Sequence, residues 1–353
     1  MKLRDVAYSN SIESRLGNRG MLLTSLAEAR HARFGWWLER TSDVVTEFDM
    51  IFVGRDRTQT AYDAGVSPVL TIASGSTIEF RTHDARAGAL LDKPLAVSYD
   101  LPKPDRSRGN PVSGPVFVEG ARPGDALLVE ILAIDCEPLG WCGAHAHVAP
   151  VPAGRVPRAL GRTCRVTTNG VEFAPNLTLP LRPMIGCIGT APLKSVSTQL
   201  AGPHGGNMDQ PVVGVGSTVL LPIRVDGALL SLGDVHATQG DGELSGLALE
   251  IPSSVRVRIR VLPCAAPAWP WVRTEDVVAV MTASETFESA ASSAVGEGMD
   301  LLENVLSLAP AEALALLSLS SDIRVGAAWG GPQVTVRLEI PATLGVAPTG
   351  LDS

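Results

Sequence analysis

Apolar and polar positions alternate over much of this chain, and alternation is the signature of strands with one buried face. Thr77-Ile78-Glu79-Phe80-Arg81-Thr82-His83-Asp84 is a clear case, following an apolar run at 67–73 and the turn Ser74-Gly75-Ser76. Further strands are predicted over 110–120 and 121–131, separated by the turn residues Pro123-Gly124-Asp125, and over 164–168, 218–223 and 333–340. Residues 254–261 alternate strictly, with Arg256, Arg258 and Arg260 on one solvated face. Helical patterns occupy 21–33, which runs into Trp36-Trp37, then roughly 286–306 and 310–319. The last places Pro310 in its first turn, where a missing N–H is harmless.

These elements predict an α+β fold that is mostly β, a sandwich- or barrel-like body with a few helices inserted late in the chain. No repeat or low-complexity linker divides residues 46–345. The expected organisation is an N-terminal helical extension over 1–45, one β-rich body over 46–345 and a frayed tail over 346–353.

Composition narrows the function classes. With 353 residues, 45% of them apolar and 19% charged, the chain can bury a substantial core. A net charge of −8 argues against a nucleic-acid surface, which needs clustered Lys and Arg. No run reaches the roughly 18 apolar residues of a membrane span, and the N-terminus lacks the apolar core of a signal peptide. Five scattered cysteines, an odd number without CxxC spacing, suit a reducing compartment, so a cytoplasmic protein is expected.

Candidate chemistry is concentrated in three clusters. Gly233-Asp234-Val235-His236-Ala237-Thr238-Gln239-Gly240-Asp241-Gly242-Glu243 combines carboxylates with one imidazole, a donor set suited to zinc, manganese or iron; carboxylates and carbonyls alone suit calcium or magnesium. In an extended backbone Asp234 and His236 share a face. His83-Asp84 at a strand end is the second cluster. The third is Gly205-Gly206-Asn207-Met208-Asp209, where paired glycines allow close backbone approach or an oxyanion pocket. His145 and His147, two apart, could also face a metal, and Cys142 beside them is a candidate thiol nucleophile. A solvated, turn-capping loop accounts for each cluster without any function.

The ordered set Asn110-Pro111-Val112-Ser113-Gly114-Pro115-Val116, Glu119-Gly120-Ala121, Pro123-Gly124-Asp125, Gly205 to Asp209, Gly227-Ala228-Leu229 and Gly233 to Glu243 resembles the acetamidase/formamidase family. The helix pair ending in Ser321-Asp322-Ile323-Arg324-Val325 resembles it too. The resemblance implies a β-rich amidase that hydrolyses a small linear amide to the acid and ammonia and is associated with a divalent metal. It implies that Asp84, Asn207, Asp209, Asp234, His236 and Glu243 line the site.

On that basis Asp84, Asp234, His236 and Asp209 are the expected ligands of zinc, with calcium or manganese as alternatives. Glu243 is the expected general base, and Asn207 or the Gly205-Gly206 amides the oxyanion donors. Two other readings compete: a cysteine amidase built on Cys142, and a non-catalytic protein whose loops a metal holds together. The expected partners are a small amide and further copies of the chain in a homo-oligomer, with no nucleic acid and no membrane.

Overall fold

The structure is a computed structural model, described for residues 51–91, 101, 108–145, 148, 150–152, 154–329 and 331–351. The N-terminal helix expected over 21–33, the Trp36-Trp37 pair and His147 lie outside the described residues.

The body is β-rich. A nine-stranded sheet runs, edge to edge, through Ile51–Val53, Thr77–Thr82, Ser253–Leu262, Ala126–Cys136, Thr218–Pro222, Trp271–Arg273, Val277–Ser284, Val334–Pro341 and Asp322–Val325. A seven-stranded sheet orders Ala201–Gly202, Gly205–Asn207, Met184–Gly189, Leu230–His236, Val112–Val118 and Thr58–Gln59, with Leu70–Ile72 pairing alongside Val112–Val118. A four-stranded sheet, residues 139–179, and one two-stranded pairing complete the β structure, and none of these sheets closes into a barrel. The two runs flanking Pro123-Gly124 do not form a hairpin. Val112–Val118 belongs to the seven-stranded sheet and Ala126–Cys136 to the nine-stranded one, so this turn carries the chain from one layer to the other.

Alternation along single strands explains the layering. In Ala126–Cys136, Leu127, Val129 and Ile131 join a core shared with Ile185, Ile188, Leu230 and Val235 of the other sheet. Ala126 and Leu128 point the opposite way, into a second core with the two helices. Period-two side-chain direction thus gives the nine-stranded sheet two dry faces where the helices cover it, and each fully buried Leu, Ile or Val there stabilises by about 1.5–3 kcal/mol.

Helix α1, Phe287–Leu306, is capped by Thr286, whose side chain accepts from Ser289 N, and α2 spans Pro310–Ser320 with its proline in the first turn. Ala290, Ala294, Leu302, Ala313 and Leu317 bury their faces on the sheet. The arginine face of Ser253–Leu262 is solvated as expected, with Arg258 and Arg260 each 3.2 Å from Glu130. The tail is ordered further than expected. Val346 and Leu351 are buried in the second core, and Arg273 donates to the Leu351 carbonyl. No single described helix is long and apolar enough to cross a membrane.

Candidate active site

The site lies on the seven-stranded sheet. Met184–Gly189 is flanked there by Leu230–His236 on one side and Gly205–Asn207 on the other. His236 ends its strand opposite Met184 and also bridges Glu250, which in turn bridges Trp141 of the four-stranded sheet. Asp209 follows the glycine-rich strand, and Gly186 lies between the two arms. A Cβ on Gly186 would sit 2.6 Å from Asp209 Oδ1 and 2.7 Å from the Asp234 carbonyl, so only glycine lets the arms close on each other.

Simple strand alternation does not bring Asp234 and His236 together. Asp234 has φ 55, a left-handed backbone inside a strand, and Asp209 and Glu243 also have positive φ, 47 and 39. Three carboxylate-bearing residues of one site hold a conformation that costs of order 1–3 kcal/mol each, strain of the kind found at functional sites.

Four buried polar atoms here have no hydrogen-bond partner: Asp209 Oδ1, Asp234 Oδ1, His236 Nε2 and Glu250 Oε2. They converge. His236 Nε2 lies 3.6 Å from Asp234 Oδ1 and 3.3 Å from Glu250 Oε2. The ligand atoms of Asp209, Asp234 and His236 all fall within 4.8 Å of one another, and so do those of His236, Glu243 and Glu250. Leaving a buried polar atom unpaired costs roughly 1–3 kcal/mol, and four such atoms in two groups that share His236 fit a cation better than four separate defects.

The electrostatics ask for positive charge at the same point. Burial pushes Asp209 up to about 7, against the pull of His236. Burial and the charge of Asp209 hold Glu243 well above the usual carboxylate range, and burial also raises Glu250. Burial alone would lower the His236 imidazole, but Glu250 and Asp234 outweigh it and hold it well above its ordinary value. Burial likewise favours the neutral form of Asp234, yet the His236 imidazole beside it brings it below its ordinary value. A proton on Nε2 supplies one positive charge to this cluster, and a divalent ion supplies two.

The surrounding side chains fix the ligand atoms. Asn110 Nδ2 donates to Asp234 Oδ2, and the buried Cys187 thiol lies 3.4 Å from that oxygen, which leaves Oδ1 facing His236. Asn207 Oδ1 accepts from Cys187 Sγ at 2.9 Å and from Asn110 Nδ2 at 3.2 Å, and an Asn207 hydrogen bond draws Asp209 down. Asn207 therefore positions Asp209, beyond the oxyanion role expected of it.

Asp84 is not brought into the cluster. Its Oδ1 accepts from Arg86 N at 2.8 Å and Trp141 Nε1 at 2.9 Å, and its Oδ2 from Gly88 N at 2.7 Å. Fully buried and fully bonded, it anchors the 84–91 loop. The fourth converging carboxylate is Glu250, a residue missed in the sequence because a lone Glu in the apolar run Leu247–Ile251 reads as an ordinary strand position. Its signal was that same loneliness. Cys142 faces Cys164, with 3.9 Å between the sulfurs, and that contact with burial pushes its thiol up, away from a nucleophilic thiolate.

The cluster lines a cavity of about 710 Å³ with Asn207, Asp209, Asp234, His236, Glu243 and Glu250, and Arg86, Arg108, His145, Leu90, Leu247 and Trp329 line it too.

Known proteins resemble this chain in sequence and fold. The sequence pattern of the acetamidase/formamidase family fits residues 55–201 and 197–267. A protein named as a formamidase in Schizosaccharomyces pombe is 28% identical over 257 residues, 54% of this chain and 61% of that protein's length. Among solved structures, an acetamidase from Bacillus halodurans is 32% identical with a TM-score of 0.76, covering 83% of this chain and 98% of its own. A predicted acetamidase/formamidase from Thermoanaerobacter tengcongensis is 30% identical with a TM-score of 0.78, covering 84% and 97%. The matched residues take in Asn207, Asp209, Asp234, His236, Glu243 and Glu250, the whole converging cluster. The chain belongs to the acetamidase/formamidase family.

Proposed function

We propose that this protein hydrolyses the C–N bond of a linear carboxamide to a carboxylate and ammonia, at the cluster of Asp209, Asp234, His236, Glu243 and Glu250. The observation that carries the reading is the gathering of four unpartnered buried polar atoms around His236, in residues that line a cavity. Family membership supports the reaction, since the similar proteins are named formamidase and acetamidase.

Asp209, Asp234, His236 and Glu250 fit a divalent metal, with Nε2 of His236 and one oxygen from each carboxylate as the ligand atoms. One imidazole among carboxylates favours zinc, with manganese or calcium as alternatives. Bound there, such an ion supplies Lewis-acid polarisation of the amide carbonyl and an acidified water.

The protein's own groups do the rest. Glu243 lines the cavity, and a carboxyl held above the usual range is a stronger base than an exposed one. It takes the proton of the attacking water and delivers it to the departing nitrogen. The C–O bond forms first, with the carbonyl π pair moving to oxygen, and the C–N bond breaks as that pair returns, so that the protonated nitrogen leaves as ammonia. The cysteine route through Cys142 finds no support in a thiol held protonated.

The test is ammonia release from simple amides by metal-stripped protein, before and after adding zinc, manganese or calcium. Activity restored by one ion, and a Glu243→Gln variant that keeps the ion but loses 10²- to 10⁴-fold in kcat/KM, is the expected result. Full activity in stripped protein would overturn it.

A further inference from the structure

The cavity is far larger than the smallest amides need. A water molecule takes about 30 Å³ of liquid, so three-atom formamide needs under about 100 Å³. At 710 Å³ the space is in the range of pockets that enclose drug-sized ligands, roughly 300–1,000 Å³.

Part of its lining is apolar and comes from three loops. Leu90 lies on the 84–91 loop, which Asp84 ties down through Arg86 N and Gly88 N. Leu247 stands between Glu243 and Glu250, close enough to Gly143 that a Cβ there would meet it at 3.3 Å. Trp329 packs over Gly242, 3.5 Å from where a Cβ would be. Val148 and Pro332 extend this surface.

Polar residues of the same wall are already engaged. Gln199 Nε2 donates to the Arg108 carbonyl at 2.9 Å, Gln333 Oε1 accepts from Ala201 N at 3.1 Å, and Thr335 Oγ1 accepts from Ala327 N at 2.8 Å. Two cations, Arg86 and Arg108, also line the cavity, which makes a carboxylate-bearing amide the occupant to test against.

We propose that the substrate is the amide of a mid-sized acyl group whose bulk is apolar, a medium-chain aliphatic or arylalkyl carboxamide. Its amide sits at His236 and Glu243, and its hydrocarbon part lies against Leu90, Leu247 and Trp329. This rests on the amide-hydrolase reading and adds the substrate class to it.

The experiment compares formamide, acetamide, butyramide, hexanamide, phenylacetamide and the carboxylate-bearing succinamate on the metal-replete full chain. Ammonia release gives kcat/KM, and calorimetry gives binding for the same compounds. Each buried methylene is worth about fourfold, so hexanamide is expected to exceed acetamide at least tenfold in both measurements even if half buried. Succinamate is expected to be no better than acetamide. Trp329→Ala should shrink the hexanamide-to-acetamide ratio at least threefold. Formamide or acetamide as best substrate, or a preference for succinamate, would overturn the proposal. Were no amide turned over, the hydrolase reading would fall, and binding would still decide the wall: equal affinity for acetamide and hexanamide would overturn an apolar occupant, and tenfold tighter hexanamide would uphold it.

Discussion

Gln239 Oε1 lies 2.8 Å from His236 Nδ1, while the same side chain's Nε2 donates to the carbonyls of Asp209, at 2.8 Å, and Gly326, at 3.3 Å. Two carbonyls fix which end of the amide is nitrogen, so the oxygen must face the ring and Nδ1 must carry a proton. The lone pair of a neutral imidazole is then at Nε2, among the carboxylates.

Replacing Gln239 by leucine keeps its bulk and removes this control. Metal affinity, read by calorimetry, is expected to fall 10- to 100-fold. Unchanged affinity would mean that the tautomer is set elsewhere.

Arg337 braces the loop that carries Glu243. Its side chain is 4% exposed, and its guanidinium forks onto Asp241 at 2.7 and 2.9 Å while also meeting Glu339 at 2.6 Å and Gln210 at 2.9 Å. Lysine keeps the charge but cannot form the fork. Arg337→Lys is expected to lose about 2 kcal/mol of stability and at least tenfold in kcat, with metal content unchanged. A double-mutant cycle with Asp241→Asn would show whether both losses come from the one pair.

Gly186→Ala tests the close approach of the two arms. Of the atoms it would strike, the Asp234 carbonyl belongs to a paired strand and cannot swing away, and Asp209 Oδ1 could yield only by leaving the cluster. A loss of about 1–3 kcal/mol in denaturant unfolding is expected, together with weaker metal binding. Loss of stability alone would separate packing from ligation.

His204 should make the protein acid-sensitive. Burial lowers its imidazole to about 4, and it stacks edge-on against Tyr62 with ring centroids 5.1 Å apart. A depressed histidine means that the unfolded chain takes up a proton the folded one refuses. Its stabilising contribution is therefore complete above about pH 6.5 and is lost as pH falls from there to about 4, on the order of 3 kcal/mol in all. His204→Phe should flatten that segment of the stability–pH curve relative to the parent, measured by urea midpoints.

Much of this molecule could be read from the order of its residues. Strand alternation marked Thr77–Thr82, Ser253–Leu262 and Val334–Pro341, and Pro310 marked the start of α2. The metal-like donor set at Asp234 and His236 was equally visible, with Asp209 and Glu243 beside it. Which carboxylates converge was not, because that depends on pairings between strands far apart in sequence. Glu250 reaches His236 across a bridge that no local pattern encodes, and Asp84, which looked like a ligand, spends its oxygens on Trp141 and its own loop. The left-handed turn at Asp234 was hidden as well, since nothing in a Gly-Asp-Val-His string distinguishes it from plain extended chain.

The left-handed backbone of Asp209, Asp234 and Glu243 has a consequence for anyone wishing to make this protein sturdier. At each of these positions glycine, or to a lesser degree asparagine, relaxes the main chain, and removing a carboxylate also relieves repulsion among buried anions. A screen that rewards heat resistance alone would therefore accumulate changes at the residues the reaction can least spare, and its hardiest survivors would be well-folded and inert.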